Sequence, residues 1–207
     1  MKNKNKNKNS YFFSKFNRIT ISYIFLILLI GVIGNSIDMI IHDSVKERYK
    51  DYKLYDTIHL ITPNFKQITL LLDFITLCLV FFIFFHKNVN SIIYLQKAFK
   101  IYFLRLLCIY STILPSADNK CNPNVLRGCH DFIYSGHISI TLLNCLYLYE
   151  LYPSTKLFII LFIFFYSVLI VSSRMHYTVD AILAIYITYN IYYNNNSNKN
   201  NSKIINS

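Results

Sequence analysis

Acidic side chains, paired cysteines and long polar stretches are all scarce in this sequence. Asp and Glu number 10 against 21 Lys and Arg, for a formal net charge of +11. Residues 1–18 carry Lys2, Lys4, Lys6, Lys8, Lys15 and Arg18 and no acid at all. A basic patch of this kind suits either nucleic acid or an anionic lipid surface. The chain is 54% hydrophobic with a mean hydropathy of +0.36, which is too apolar for an ordinary soluble domain. The lipid reading is therefore taken, and no nucleic-acid partner is expected. The five cysteines (Cys78, Cys108, Cys121, Cys129 and Cys145) form no CxxC pair and no zinc-like spacing. Cys121 and Cys129 share one polar loop and would be placed to pair if that loop faced an oxidising lumen.

No repeat and no second domain is visible. The first apolar run, about Ile19 to Ile41, is too long for a signal core and has no small-residue cleavage site, so it reads as a transmembrane helix. Five further runs follow, at about Gln67–Phe85, Ala98–Leu114, Gly136–Leu151, Lys156–Ser172 and Tyr177–Tyr193. The sequence thus predicts an all-α membrane protein with six transmembrane helices over 19–193. It is flanked by a disordered basic tail, 1–18, and a disordered Asn-rich tail, 194–207. Six spans place both termini on one side. The N-terminal tail, Lys87 and Lys97 of the 86–97 connector, and Lys199 and Lys203 are basic without acids. The 42–66 and 116–134 loops mix charges. The positive-inside rule then makes both termini cytosolic.

Two short stretches on the opposite, lumenal or extracellular side carry the chemistry. One is Cys129-His130-Asp131-Phe132-Ile133-Tyr134-Ser135-Gly136-His137; the other is His176-Tyr177-Thr178-Val179-Asp180. His176 and Asp180 share a helix face at i, i+4, so the carboxylate can orient the imidazole and leave its other nitrogen as nucleophile or base. Gly136 permits close backbone approach, and the helix start at Ser135-Gly136-His137 favours a phosphate. Two histidines, an aspartate and a helix N-terminus suit phosphoryl transfer, with one His attacking phosphorus and the other moving a proton. Arg105 sits inside the third run, where a buried Arg is usually paired; Asp73 in the second run is the available partner.

These motifs resemble the sphingomyelin synthase family, the lipid phosphotransferase branch of the type 2 phosphatidic acid phosphatase superfamily. That family carries C-G-D-x-x-x-S-G-H-T and H-Y-T-x-D-V-x-x-A-Y-x-x-T. Arg105, Tyr110, Thr112, Leu114 and Pro115 are similar to its R-x4-Y-x-T-x-L-P stretch, and Leu54-Tyr55-Asp56 is a reduced form of its P-L-P-D. His130 stands where the family has Gly, Ile138 where it has Thr, and Ala181 where it has Val. The resemblance implies that His176 takes the head-group phosphate of a glycerophospholipid as a phosphohistidine, oriented by Asp180. His137 would serve the proton of the departing diacylglycerol and of the incoming ceramide. Asp131, Ser135, Gly136, Tyr177 and Arg105 would bind substrate, with Asp131 suited to a choline or ethanolamine head group. No metal and no cofactor is implied. A homo-oligomer in the Golgi, endoplasmic reticulum or plasma membrane would fit.

Two competitors stand beside this reading. A lipid phosphate phosphatase of the same superfamily would use water as acceptor, but its K-x6-R-P motif is absent and Arg174 lies only two residues before His176. A non-enzymatic lipid-binding membrane protein has no reason to hold His137, His176 and Asp180 at span mouths on one side.

Overall fold

In the computed structural model, residues 17–48, 54–112, 114–117 and 133–204 are described, the last ten of these by backbone alone. Every regular element among them is helical. The long first helix, α1, is Arg18–Arg48. The short α2 is Thr57–Ile61, α3 is Thr69–Phe85 and α4 is Ser91–Ser111. Then come α5, Gly136–Leu151, α6, Lys156–Ser172, and α7, Thr178–Ile204. Two 3-10 turns, Lys66–Ile68 and Pro153–Thr155, lead into α3 and α6.

Among the described residues, three stretches are long and apolar enough to cross a membrane: Arg18–Arg48, Lys66–Phe85 and Pro153–Ser172. Their outward faces carry exposed Phe, Leu and Ile, among them Phe25, Leu28, Phe74, Phe81, Phe164 and Phe165. α5 is the centre of the bundle: eleven of its residues are buried, so it faces protein on nearly all sides. Its buried polar groups find partners on neighbouring helices. Asn144 accepts a hydrogen bond from Tyr94 of α4 at 3.0 Å. Thr141 lies 3.1 Å from the Thr76 hydroxyl, which also meets Tyr166 of α6 at 2.5 Å. α1 packs on α4, with Gly34 facing Ile109 and Leu106.

Most boundaries agree with the hydropathy; α1 runs past Ile41 to Arg48, and two more differ. α4 begins at Ser91, not Ala98, capped by Asn90, whose side chain accepts from the Ile92 and Ile93 N–H groups. Lys97, taken from sequence as a connector charge, is a buried helical residue. Its ammonium lies 3.7 Å from the Tyr192 ring centre and 5.2 Å from that of Tyr147, a cation held over two aromatic faces. The second difference is α7, whose backbone stays helical beyond Tyr193 to Ile204.

Candidate active site

The starts of α5 and α7 meet at one end of the bundle. The Ser135 N–H donates to the Asp180 carbonyl at 3.3 Å, joining the two histidine motifs through their backbones. Each motif is preceded by a non-glycine residue in the left-handed region, Tyr134 and Arg174, both with φ 61°. Such residues carry local strain that surrounding contacts must hold. Tyr134 is held by its hydroxyl, which donates to the Ile101 carbonyl of α4. Ser135 is the N-cap of α5, its hydroxyl oxygen accepting from the Ile138 N–H at 3.3 Å.

His137 projects from the first turn of α5. Its Nε2 lies 2.8 Å from Oδ1 of Asp73 in α3, and both side chains are partly exposed. The two line a cavity of about 680 Å³ between α3, α4 and α5. Arg105, Gly136, Leu77, Val80 and Ile140 line it as well. Gly136 lets Arg105 approach closely, because a Cβ there would stand 3.2 Å from Nε of Arg105. The cavity therefore joins a cation, a histidine–carboxylate pair and an apolar wall, a lining suited to an anionic head group carried on a hydrocarbon chain.

His176 and Asp180 are almost fully buried. The His176 ring centre is 6.4 Å from that of His137. Its Nδ1 faces Oδ2 of Asp180 at 3.7 Å, an ion-pair separation longer than a hydrogen bond. The same Oδ2 accepts from the Tyr177 N–H at 2.9 Å, so Asp180 also caps the start of α7. The Tyr177 hydroxyl donates to the Pro115 carbonyl at 3.1 Å, tying the end of α4 to this corner.

The structure thus brings together His137, His176, Asp180, Ser135, Gly136, Tyr177 and Arg105. Asp131 and the Cys121–Cys129 loop lie outside the described residues. Ser135 and Tyr177 are buried and bonded within the protein, while Gly136, His137 and Arg105 reach the cavity. Asp73 was legible as an acid inside an apolar run but was read as the partner of Arg105; its ion pair at 2.8 Å is with His137. No cluster of metal-binding side chains occurs among the described residues.

Residues 128–197 match the family described as PAP2 superfamily C-terminal. That stretch holds both histidine motifs. The similarity is to ceramide phosphotransferases of the PAP2 superfamily. A phosphatidylinositol:ceramide inositolphosphotransferase 2 of Arabidopsis thaliana is 36% identical over 110 residues, covering 41% of this chain and 35% of that protein. The phosphatidylinositol:ceramide inositolphosphotransferases of Oryza sativa subsp. indica and subsp. japonica are each 33% identical over 110 residues, covering 41% of this chain and 33% of theirs. The match spans about a third of the length of these curated relatives.

Proposed function

We propose that this protein is a membrane-embedded sphingolipid synthase that moves a phospho-head group from a glycerophospholipid to ceramide and releases diacylglycerol. The observation that carries the reading is the pairing of two histidines, each facing a carboxylate, at one end of the bundle. Asp180 faces Nδ1 of His176, which leaves Nε2 to attack the donor phosphorus. A new P–N bond forms as the bond from phosphorus to the glycerol oxygen breaks, and His137 in its imidazolium form gives that oxygen its proton. The ceramide hydroxyl then yields its proton to His137 and attacks the same phosphorus, the P–N bond breaks and His176 is restored. Arg105, which lines the cavity, would neutralise the phosphate oxygens.

The names of the similar plant proteins point to phosphatidylinositol as the donor, in place of the choline and ethanolamine lipids expected from sequence. Inositol is uncharged, so such a donor does not need the carboxylate of Asp131 for its head group. Incubating membranes with labelled ceramide and, separately, phosphatidylinositol, phosphatidylcholine and phosphatidylethanolamine tests the assignment. A labelled phosphosphingolipid from one donor supports transfer; free phosphate with no labelled product from any donor means hydrolysis.

The coincidence of α1, α3, α4, α5, α6 and α7 with the six apolar runs of the sequence supports six spans. The basic 1–18 tail then puts both termini in the cytosol and the site on the lumenal or extracellular side. In sealed vesicles with the cytosolic face outward, protease should remove the N-terminal tail; removal only after the vesicles are opened would reverse this orientation.

A further inference from the structure

The segment 54–62 has no part in the steps above, yet it turns a carboxylate and an imidazole inward. Asp56 caps α2, its Oδ1 accepting from the His59 N–H at 3.1 Å. The same carboxylate reaches the first residue of α7. The Thr178 N–H donates to Oδ2 at 2.6 Å, and the Thr178 hydroxyl to Oδ1 at 2.8 Å. His59 Nε2 stands 3.0 Å from the carbonyl of Val171 and 3.0 Å from that of His176. Both partners are acceptors, so Nε2 carries the proton and shares it between them. Arg174 returns the grip, donating from Nη2 to the carbonyls of His59 at 2.7 Å and Thr62 at 3.1 Å. The Tyr177 ring packs on His59 with centres 5.5 Å apart.

We propose that Asp56 and His59 are positioning residues for the phosphoryl-accepting histidine, holding the backbone on both sides of Tyr177 and thereby aiming the His176 ring. The inference rests on the reading of His176 as nucleophile. Asp180 stands 3.7 Å from the ring, and the ring moves with the backbone that carries it, whose His176 carbonyl meets His59 and whose Thr178 N–H meets Asp56. That backbone follows a left-handed Arg174 in a short turn between α6 and α7, a conformation that needs external support. A misplacement of about 1 Å can cost a reacting group about 100-fold in rate. Burial, with Arg174 adding to it and Asp56 opposing, holds His59 below its ordinary 6.5, which keeps the neutral form.

The test uses the full chain in lipid vesicles, with labelled ceramide and the donor lipid that gives product. His59→Ala should lower kcat at least about tenfold with the ceramide KM within about twofold. His59→Gln, whose amide still donates from an equivalent nitrogen, should recover to within about threefold of wild type. Thr178→Val is isosteric and removes one bond to Asp56; it should lower kcat about three- to tenfold. It decides the matter if His59→Ala does not fold. A wild-type kcat in His59→Ala or Thr178→Val overturns the proposal, as does a His59→Gln no better than His59→Ala. His176→Ala is the control. Activity in His176→Ala removes the nucleophile reading and this proposal with it. An inactive His176→Ala beside a fully active His59→Ala removes this proposal alone.

Discussion

The His137 imidazole of α5 and the Asp73 carboxylate of α3 meet at 2.8 Å on the wall of the cavity. Asp73 thus stands to His137 as Asp180 stands to His176, one histidine–carboxylate pair lining the cavity and one buried. Replacing Asp73 with Asn keeps the volume and removes the carboxylate that faces the His137 ring. Turnover should fall about 10- to 100-fold, since positioned acid–base groups contribute about 100- to 10,000-fold. Ceramide KM should change little. Steady-state transfer kinetics check this, and a wild-type kcat would release Asp73 from any part in the reaction.

Gly136 and Arg105 should behave as one unit. An added methyl at Gly136 would meet Arg105 at 3.2 Å, so the guanidinium must shift by a few tenths of an ångström. Gly136→Ala should therefore reduce kcat/KM for the donor lipid, and Arg105→Ala should reduce it further. The double variant should be no worse than Arg105→Ala alone, the non-additivity expected of residues in contact. Additive losses would show that the two act separately.

How far the sequence reveals this arrangement depends on the range of each contact. The limits of α5 and α6 follow from local signals: Ser135 as N-cap, Pro153 before the turn, and apolar runs of the right length. The start of α4 was missed because hydropathy counts Lys97 as a loop charge, whereas Tyr147 and Tyr192, from two other helices, shelter it. His137, His176 and Asp180 were visible because local motifs carry them. His59 was not, since its partners lie 112 and 117 residues away and nothing in its neighbourhood announces them. Asp56 was seen only as the remnant of a motif; its bonds to Thr178, 122 residues on, give that remnant a structural use.

Lys97 gives a prediction confined to stability. It lies among the later turns of α5 and α7, away from the histidine motifs. Lys97→Met keeps most of the stem and removes the cation from the two rings, a loss of about 2 kcal/mol for a desolvated pair. The melting temperature of the purified protein should drop, while kcat per folded molecule stays at the wild-type value. A selective loss of kcat would place Lys97 in the reaction pathway.

The protein should lose stability on mild acidification. For Asp56, burial pushes the carboxyl up, but the bonds from Thr178 and the His59 N–H outweigh it and hold it below the ordinary 3.8. Its contribution is present above 3.8 and is lost as the pH falls through the lower folded value. His59 is held below 6.5, so beneath that pH the unfolded chain takes up the proton more readily than the folded one. The melting temperature should therefore decline as the pH is lowered from about 7 to about 5. His59→Gln, which does not titrate, should flatten that limb, and parallel profiles would contradict the assignment.

The most direct measurement compares wild type with His176→Ala in sealed vesicles supplied with labelled ceramide and each donor lipid in turn. Wild type should form a labelled phosphosphingolipid together with diacylglycerol, and His176→Ala should form neither while remaining folded. Undiminished product from His176→Ala would contradict the account.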